Sequence, residues 1–190
     1  MRKLFCTGLI AVLLALVTFT ASAKPAESWG PELGSAIPDQ LDTRDQDGVE
    51  QSFDSLVGDK GLVIVFLRSL DWCRFCKGQA KELESRLDDF SGRGLRLVIL
   101  SYDPVETLKA FQLKYTPGLT LLSDPQSRVI KAFGILNERE NPVSRGYGIP
   151  NPGIIIVDTE GVVRAKFAEK GYRSRPQIDT VLAAIDQLDL

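Results

Sequence analysis

Two unbroken apolar runs, Leu62-Val63-Ile64-Val65-Phe66-Leu67 and Ile154-Ile155-Ile156-Val157, constrain this chain most, with Leu95 to Leu100 a third run interrupted only by Arg96. Runs of this length without polar alternation read as strands buried on both faces, which need helices above and below the sheet. The intervening segments supply them. Cys76, Ala80, Leu83, Leu87 and Phe90, spaced 4, 3, 4 and 3, form one stripe of a helix that starts at Cys73 and ends at Gly92 and Gly94. Asp103-Pro104-Val105-Glu106 predicts an N-cap acid with Pro at the first helical position, and Val105, Leu108 and Phe111 form the apolar face.

Leu119 to Leu122 reads as a short strand, and Ser123-Asp124-Pro125 caps a helix that turns Val129, Ile130 and Phe133 inward. Residues 135–151, polar with Gly and Pro, predict a long exposed loop. The turn Asp158-Thr159-Glu160-Gly161 joins Ile154–Val157 to Val162–Phe167 as an antiparallel hairpin. Pro176 opens a last helix carrying Ile178, Val181, Leu182, Ile185 and Leu188. Earlier in the chain, Asp45-Gln46-Asp47-Gly48 marks a turn and Phe53 to Val57 a short helical turn. The order predicts an α/β three-layer sandwich around a central mixed sheet flanked by helices.

The N-terminus lies outside that pattern. Arg2 and Lys3, the apolar stretch Leu9–Val17 and Ala21-Ser22-Ala23 together read as a signal peptide over residues 1–23. Residues 24–33 follow as an extended segment, and 34–190 as the folded domain. Cleavage removes Cys6 with the two basic residues and leaves 167 residues of net charge −4 with two cysteines, Cys73 and Cys76. Export, with the bacterial periplasm as the expected destination, means an oxidising compartment that favours a disulfide. Membrane attachment is expected only if the signal stays uncleaved.

The whole chain carries 23 Lys and Arg against 25 Asp and Glu, and no histidine. That balance offers no surface for nucleic acid. Lack of histidine excludes Ser-His-Asp and Cys-His nucleophiles and any His-ligated zinc or haem. No metal or cofactor is expected, because two soft ligands fall short of a tetrahedral site.

What remains is Cys73-Arg74-Phe75-Cys76, placed where a buried strand hands over to a helix. Residues i and i+3 at a helix start face the same way, so the sulfurs can bond. The unsatisfied N–H groups and dipole of the helix terminus favour a thiolate at Cys73, and Arg74 and Lys77 add positive charge while Asp71 opposes them. A bridge closing so short a loop removes little chain entropy, so a purely structural disulfide is the weaker reading. Arg68 reads as a solvated strand end, and Arg145 and Tyr147 as part of a solvated loop.

Ser69-Leu70-Asp71-Trp72-Cys73-Arg74-Phe75-Cys76-Lys77 resembles a thioredoxin-fold active site, with tryptophan just before the first cysteine. The resemblance is closest to the redoxin branch, the alkyl hydroperoxide reductase/thiol-specific antioxidant family with its peroxiredoxins and exported disulfide reductases. It covers about residues 33–189, with Gly34-Ser35-Ala36-Ile37-Pro38, Gly58-Asp59-Lys60-Gly61 and Ile149-Pro150-Asn151-Pro152-Gly153 where that family has similar pieces. It implies an exported thiol–disulfide oxidoreductase. Cys73 would attack, Cys76 would resolve, and Trp72 with a cis Pro152 would dock the substrate. Protein disulfides, small thiols or peroxides are the implied substrates, with a thiol electron donor or acceptor as partner.

Two rival functions accompany that one: a peroxiredoxin-like thiol peroxidase, and a redox-inactive binding module on the same fold. The chain departs from the family at four positions. A typical peroxiredoxin has Pro seven and Thr or Ser three residues before its reactive cysteine, and here these are Phe66 and Leu70. It also has an arginine at the start of the facing strand, where this chain has Pro152. The buried acid of a typical thioredoxin, six residues before the first cysteine, is Leu67 here.

Overall fold

The computed structural model describes residues 29–38, 41–171 and 173–190. The expected signal peptide lies outside these residues, as do residues 24–28 of the extended segment. Among the described residues no helix is long and apolar enough to cross a membrane.

The elements run β1 (Thr43–Asp45), β2 (Glu50–Gln51), α1 (Phe53–Leu56), β3 (Gly61–Phe66), α2 (Arg74–Glu84), α3 (Leu87–Ser91) and β4 (Leu95–Ser101). There follow α4 (Val105–Tyr115), β5 (Thr120–Ser123), α5 (Arg128–Ala132), β6 (Gly153–Val157), β7 (Val163–Ala168) and α6 (Ile178–Ile185). One mixed sheet has the order β2-β1-β5-β4-β3-β6-β7. β3 and β4 pair in parallel, as do β4 and β5, while β6 runs antiparallel to both β3 and β7.

The apolar runs become the central strands because both of their faces are covered. Val63 and Val65 point into a layer with Ala80, Leu83, Leu108, Phe111, Val181 and Ile185. Leu62, Ile64 and Phe66 point the other way, onto Leu56, Val129, Ile130 and Phe133. The strand period of two thus divides one run between two cores. Three layers result, as the sequence predicts. Gly61 enters β3 with φ +145°, and a Cβ there would lie 2.1 Å from the Val157 carbonyl oxygen of the neighbouring strand. Only glycine fits that approach.

Four local readings change. The stripe from Cys76 to Phe90 is two helices, because the chain turns at Ser85 and Arg86 and Arg86 ion-pairs with Asp89 and Asp179. The N-cap of α4 is Pro104 and no side chain caps it, because Asp103 is turned toward the loop after β3. At α5 the N-cap is Ser127, yet the Asp124 carboxylate accepts from the N–H groups of Arg128 and Ile130, so the acid serves that helix from further back. Residues 135–151 are only partly a solvated loop: Ile135 and Ile149 are buried, and Leu136 and Pro150 form an antiparallel bridge.

The cis proline expected at Pro152 is also corrected. Among the described residues every peptide bond is trans. Trp29, from the expected extended segment, packs edge-on against Phe66 and donates its indole N–H to the Asn151 carbonyl at 3.0 Å. That bond and the trans backbone fix the entry to β6.

Candidate active site

β3 delivers the chain to the site and α2 receives it. Leu67 still follows the ladder, donating to the Leu100 carbonyl at 2.9 Å, and residues 68–72 then bend across the end of the sheet. Cys73 is the N-cap of α2. Its Sγ accepts the N–H of Cys76 at 3.3 Å, the bond an N-cap side chain makes to the third helical residue. The Cα atoms of Cys73 and Cys76 are 5.3 Å apart and the sulfurs form a disulfide. Cys73 is 4% exposed and Cys76 fully buried, so the pair is almost closed to solvent.

The approach loop is held by Asp103, at the end of β4. One carboxylate oxygen accepts the Ser69 hydroxyl at 2.8 Å, and the other accepts the Leu70 N–H at 2.6 Å and the Ser101 hydroxyl at 2.8 Å. Ser69 Oγ passes the restraint on by accepting from the N–H groups of Asp71 and Trp72. Burial pushes the Asp103 carboxyl above the usual carboxylate range, against the pull of these hydrogen bonds.

Trp72 is fixed by groups distant in sequence. Its indole N–H donates to the Tyr102 hydroxyl at 2.9 Å, which itself donates to the Arg145 carbonyl at 2.6 Å. Burial raises the Tyr102 pKa, so this hydroxyl keeps its proton and its place as a donor. The guanidiniums of Arg68 and Arg145 lie over the indole, 5.0 and 5.9 Å from the ring centroid. Arg68 pairs with Glu140 at 3.2 Å with 11% of its side chain exposed, which corrects the solvated strand end expected of it. Arg145 pairs with Asp71, which ties residues 136–150 to the loop before Cys73. Tyr147 is 53% exposed, as a solvated loop residue should be. A cleft of about 300 Å³ opens beside Trp72, lined by Arg68, Glu140, Ser144, Arg145 and Gly146. A larger cleft of about 740 Å³ lies along β1, β2 and the start of α4 and shares no lining residue with the motif.

The other expected residues are placed as follows. Arg74 is exposed, with its guanidinium 5.1 Å from the Phe75 ring centroid. The ammonium of Lys77 donates to the Asp71 carbonyl at 2.8 Å. Pro152 is half-buried just ahead of β6, where the pairing of Gly153 with Phe66 sets it beside the end of β3. Phe66 and Leu70 are both buried apolar side chains, at 0% and 2% exposure.

Arg175, like Tyr102 and Glu140, has no signal in the sequence that marks it for the site. Arg175, from the segment between β7 and α6, brings Nη2 to 3.4 Å from Cys76 Sγ. Burial, with the Arg68 guanidinium nearby, lowers its pKa to about 10. Among the described residues no group of Cys, Asp or Glu could hold a metal ion.

Comparison with known proteins agrees with this geometry. The AhpC/TSA family model matches residues 33–166, most of the chain. The chain belongs to the AhpC/TSA family. Within it, this AhpC/TSA chain is 27% identical over 153 residues to the chloroplastic peroxiredoxin Q of Suaeda salsa, covering 80% of this chain and 67% of that protein. It is 28% identical over 167 residues to 1-Cys peroxiredoxin B of Oryza sativa subsp. japonica, covering 84% and 73%. Among solved structures, peroxidoxin BcpB from Mycobacterium tuberculosis superimposes with a TM-score of 0.69 at 22% identity, covering 83% of this chain and 98% of that one. The protein is therefore an oxidoreductase of the peroxiredoxin-like redoxin type, on a thioredoxin-like fold.

Proposed function

We propose that this protein is a thiol peroxidase that cycles through the Cys73–Cys76 disulfide. The observation that carries the reading is the placement of a nearly buried Cys73 at the N-terminus of α2, with its bonding partner one turn on, in a chain of the AhpC/TSA family. A residue as buried as Cys73, 4% exposed, admits a small hydroperoxide more readily than a folded protein. The Cys73 thiolate attacks one peroxide oxygen: an S–O bond forms, the O–O bond breaks, and the alcohol or water leaves after taking a proton. The thiolate of Cys76 then attacks the sulfenic acid. The S–S bond forms and hydroxide departs, to be protonated to water. A thiol donor closes the cycle by exchange at the disulfide.

A second reading, exchange with protein disulfides, draws support from Phe66 and Leu70. These apolar side chains stand where a typical peroxiredoxin has proline and a hydroxyl near its reactive cysteine. We extend the proposal to export, on the sequence of residues 1–23, and cell fractionation tests that part.

Wild type, Cys73→Ser and Cys76→Ser are compared for hydroperoxide consumption and for insulin-disulfide reduction, with a dithiol as donor. Peroxide consumption well above that of the donor alone, abolished by Cys73→Ser, is the expected result. Insulin reduction without peroxide consumption would replace this reading with the second. Neither activity, with a pair resisting reduction at about −300 mV, would leave a redox-inactive binding module.

A further inference from the structure

A buried sulfur that must ionise needs a group to favour the charge, and Leu67 stands fully buried where a typical thioredoxin has its acid. Around Cys76 the charged groups come from several elements. Its own helix offers Arg74, stacked on Phe75, and Lys77, engaged with the Asp71 carbonyl. The loop after β3 offers Arg68, paired with Glu140, and Asp71, paired with Arg145. After β4 comes Asp103, which accepts from Leu70, Ser69 and Ser101. The segment ahead of α6 offers an exposed Arg173, and Arg175, whose guanidinium donates to Cys76 Sγ at 3.4 Å.

We propose that Arg175 holds Cys76 as a thiolate in the reduced protein and stabilises it as the leaving group when the disulfide opens. The assignment rests on the dithiol cycle proposed above. Burial beside Arg68 disfavours the charge on Arg175, and an anionic sulfur at hydrogen-bond distance offsets that cost, whereas a neutral thiol does not. In resolution, the Cys76 thiolate donates its electron pair to the Cys73 sulfur, the S–O bond breaks, and hydroxide leaves. In reduction, a donor thiolate bonds to Cys73 and the S–S electron pair returns to Cys76, where the guanidinium receives the charge. No proton need cross the buried side of the motif in either direction.

The test isolates Cys76. In a Cys73→Ser background, ultraviolet thiolate absorbance is titrated for the parent and for added Arg175→Met or Arg175→Lys. Loss of an opposite charge at this range should raise the Cys76 pKa by about one to three units in Arg175→Met and by less in Arg175→Lys. Coincident titrations of parent and Arg175→Met would overturn the proposal. Should Arg175→Met fail to fold, Arg175→Gln carries the same comparison.

With Cys73 restored, peroxide-treated Arg175→Met should accumulate sulfenic acid at Cys73, labelled by dimedone, by about tenfold or more over wild type, since each unit of pKa costs tenfold in thiolate below the pKa. Equal labelling would also count against the role. A wild type that consumes no peroxide sinks the peroxidase reading alone, because the titration uses no peroxide and still judges Arg175.

Discussion

Asp103 offers the sharpest test of how the fold positions the motif. The residue is 3% exposed and its carboxylate takes three donors: the Leu70 N–H and the hydroxyls of Ser69 and Ser101. Asp103→Ala removes every acceptor at once. The hydroxyls can rotate toward other partners, but the Leu70 N–H cannot. Taking about 1 kcal/mol for each lost bond, with more for the stranded amide, gives a loss of about 3 kcal/mol. For a chain of this size that corresponds to a Tm lower by about 6–12 °C.

Asp103→Asn is different, since its carbonyl can still accept from the Leu70 N–H and the Ser101 hydroxyl, leaving only the Ser69 hydroxyl to turn away from the amide. It should stay within about 1 kcal/mol of wild type at neutral pH. The pH dependence supplies an independent arm. Because burial raises the folded-state pKa of Asp103, the native protein binds more protons here than the unfolded chain does, from the ordinary carboxylate value up to the folded one. That contribution is fully present below the unfolded value and is lost as pH rises through the folded value. Urea denaturation of wild type and Asp103→Asn across this range should therefore show wild type losing ground to the variant as pH rises. The paired comparison cancels Asp124, raised like Asp103, and Asp158, lowered. Asp103→Ala within about 1 kcal/mol of wild type, or a wild-type-to-Asn difference flat with pH, would refute the reasoning.

Two further outcomes test the packing around the site. Trp72→Phe keeps a ring beneath Arg68 and Arg145 but loses the bond to Tyr102, and should cost about 1 kcal/mol, read as a Tm drop of about 2–4 °C; an unchanged Tm would mean that the indole N–H does not anchor the 136–150 segment. Gly153→Ala would set a methyl 2.5 Å from the Trp29 ring and 2.7 Å from the Phe167 carbonyl oxygen, and should cost about 1–3 kcal/mol in urea denaturation; stability equal to wild type would show that β6 can move away from Trp29.

The sheet was legible because its central strands are buried on both faces, and a stretch such as Leu62–Leu67 has few other ways to hide so much apolar surface. Helix ends were less legible. Asp103 followed by Pro104 satisfies every local rule for an N-cap, yet a buried backbone N–H at Leu70 competes for the carboxylate and takes it. A cap exposed to water can be replaced by water, whereas a buried amide has no such substitute. Arg86 shows the same limit: the apolar stripe continues past it, but its pairs with Asp89 and Asp179 accompany a turn that periodicity does not register.

The site itself was half legible for a related reason. Cys73, Cys76 and Trp72 lie within five residues and announce themselves, but Tyr102, Arg145 and Arg175 reach the motif from three separate segments. Without histidine, the sequence pointed to neighbouring Arg74 and Lys77 as the activating charges. In the fold, Arg74 lies over Phe75 and Lys77 spans to the Asp71 carbonyl, while Cys73 Sγ takes the N–H of Cys76. In the proposed cycle the attacking sulfur thus leans on backbone dipoles, which do not titrate, and the resolving sulfur leans on a guanidinium brought from ninety-nine residues away. The two sulfurs are bonded to each other but are tuned by separate parts of the chain. On that proposal a change in the segment ahead of α6 alters the second step without moving the first, a division that a motif with a single shared imidazole could not make.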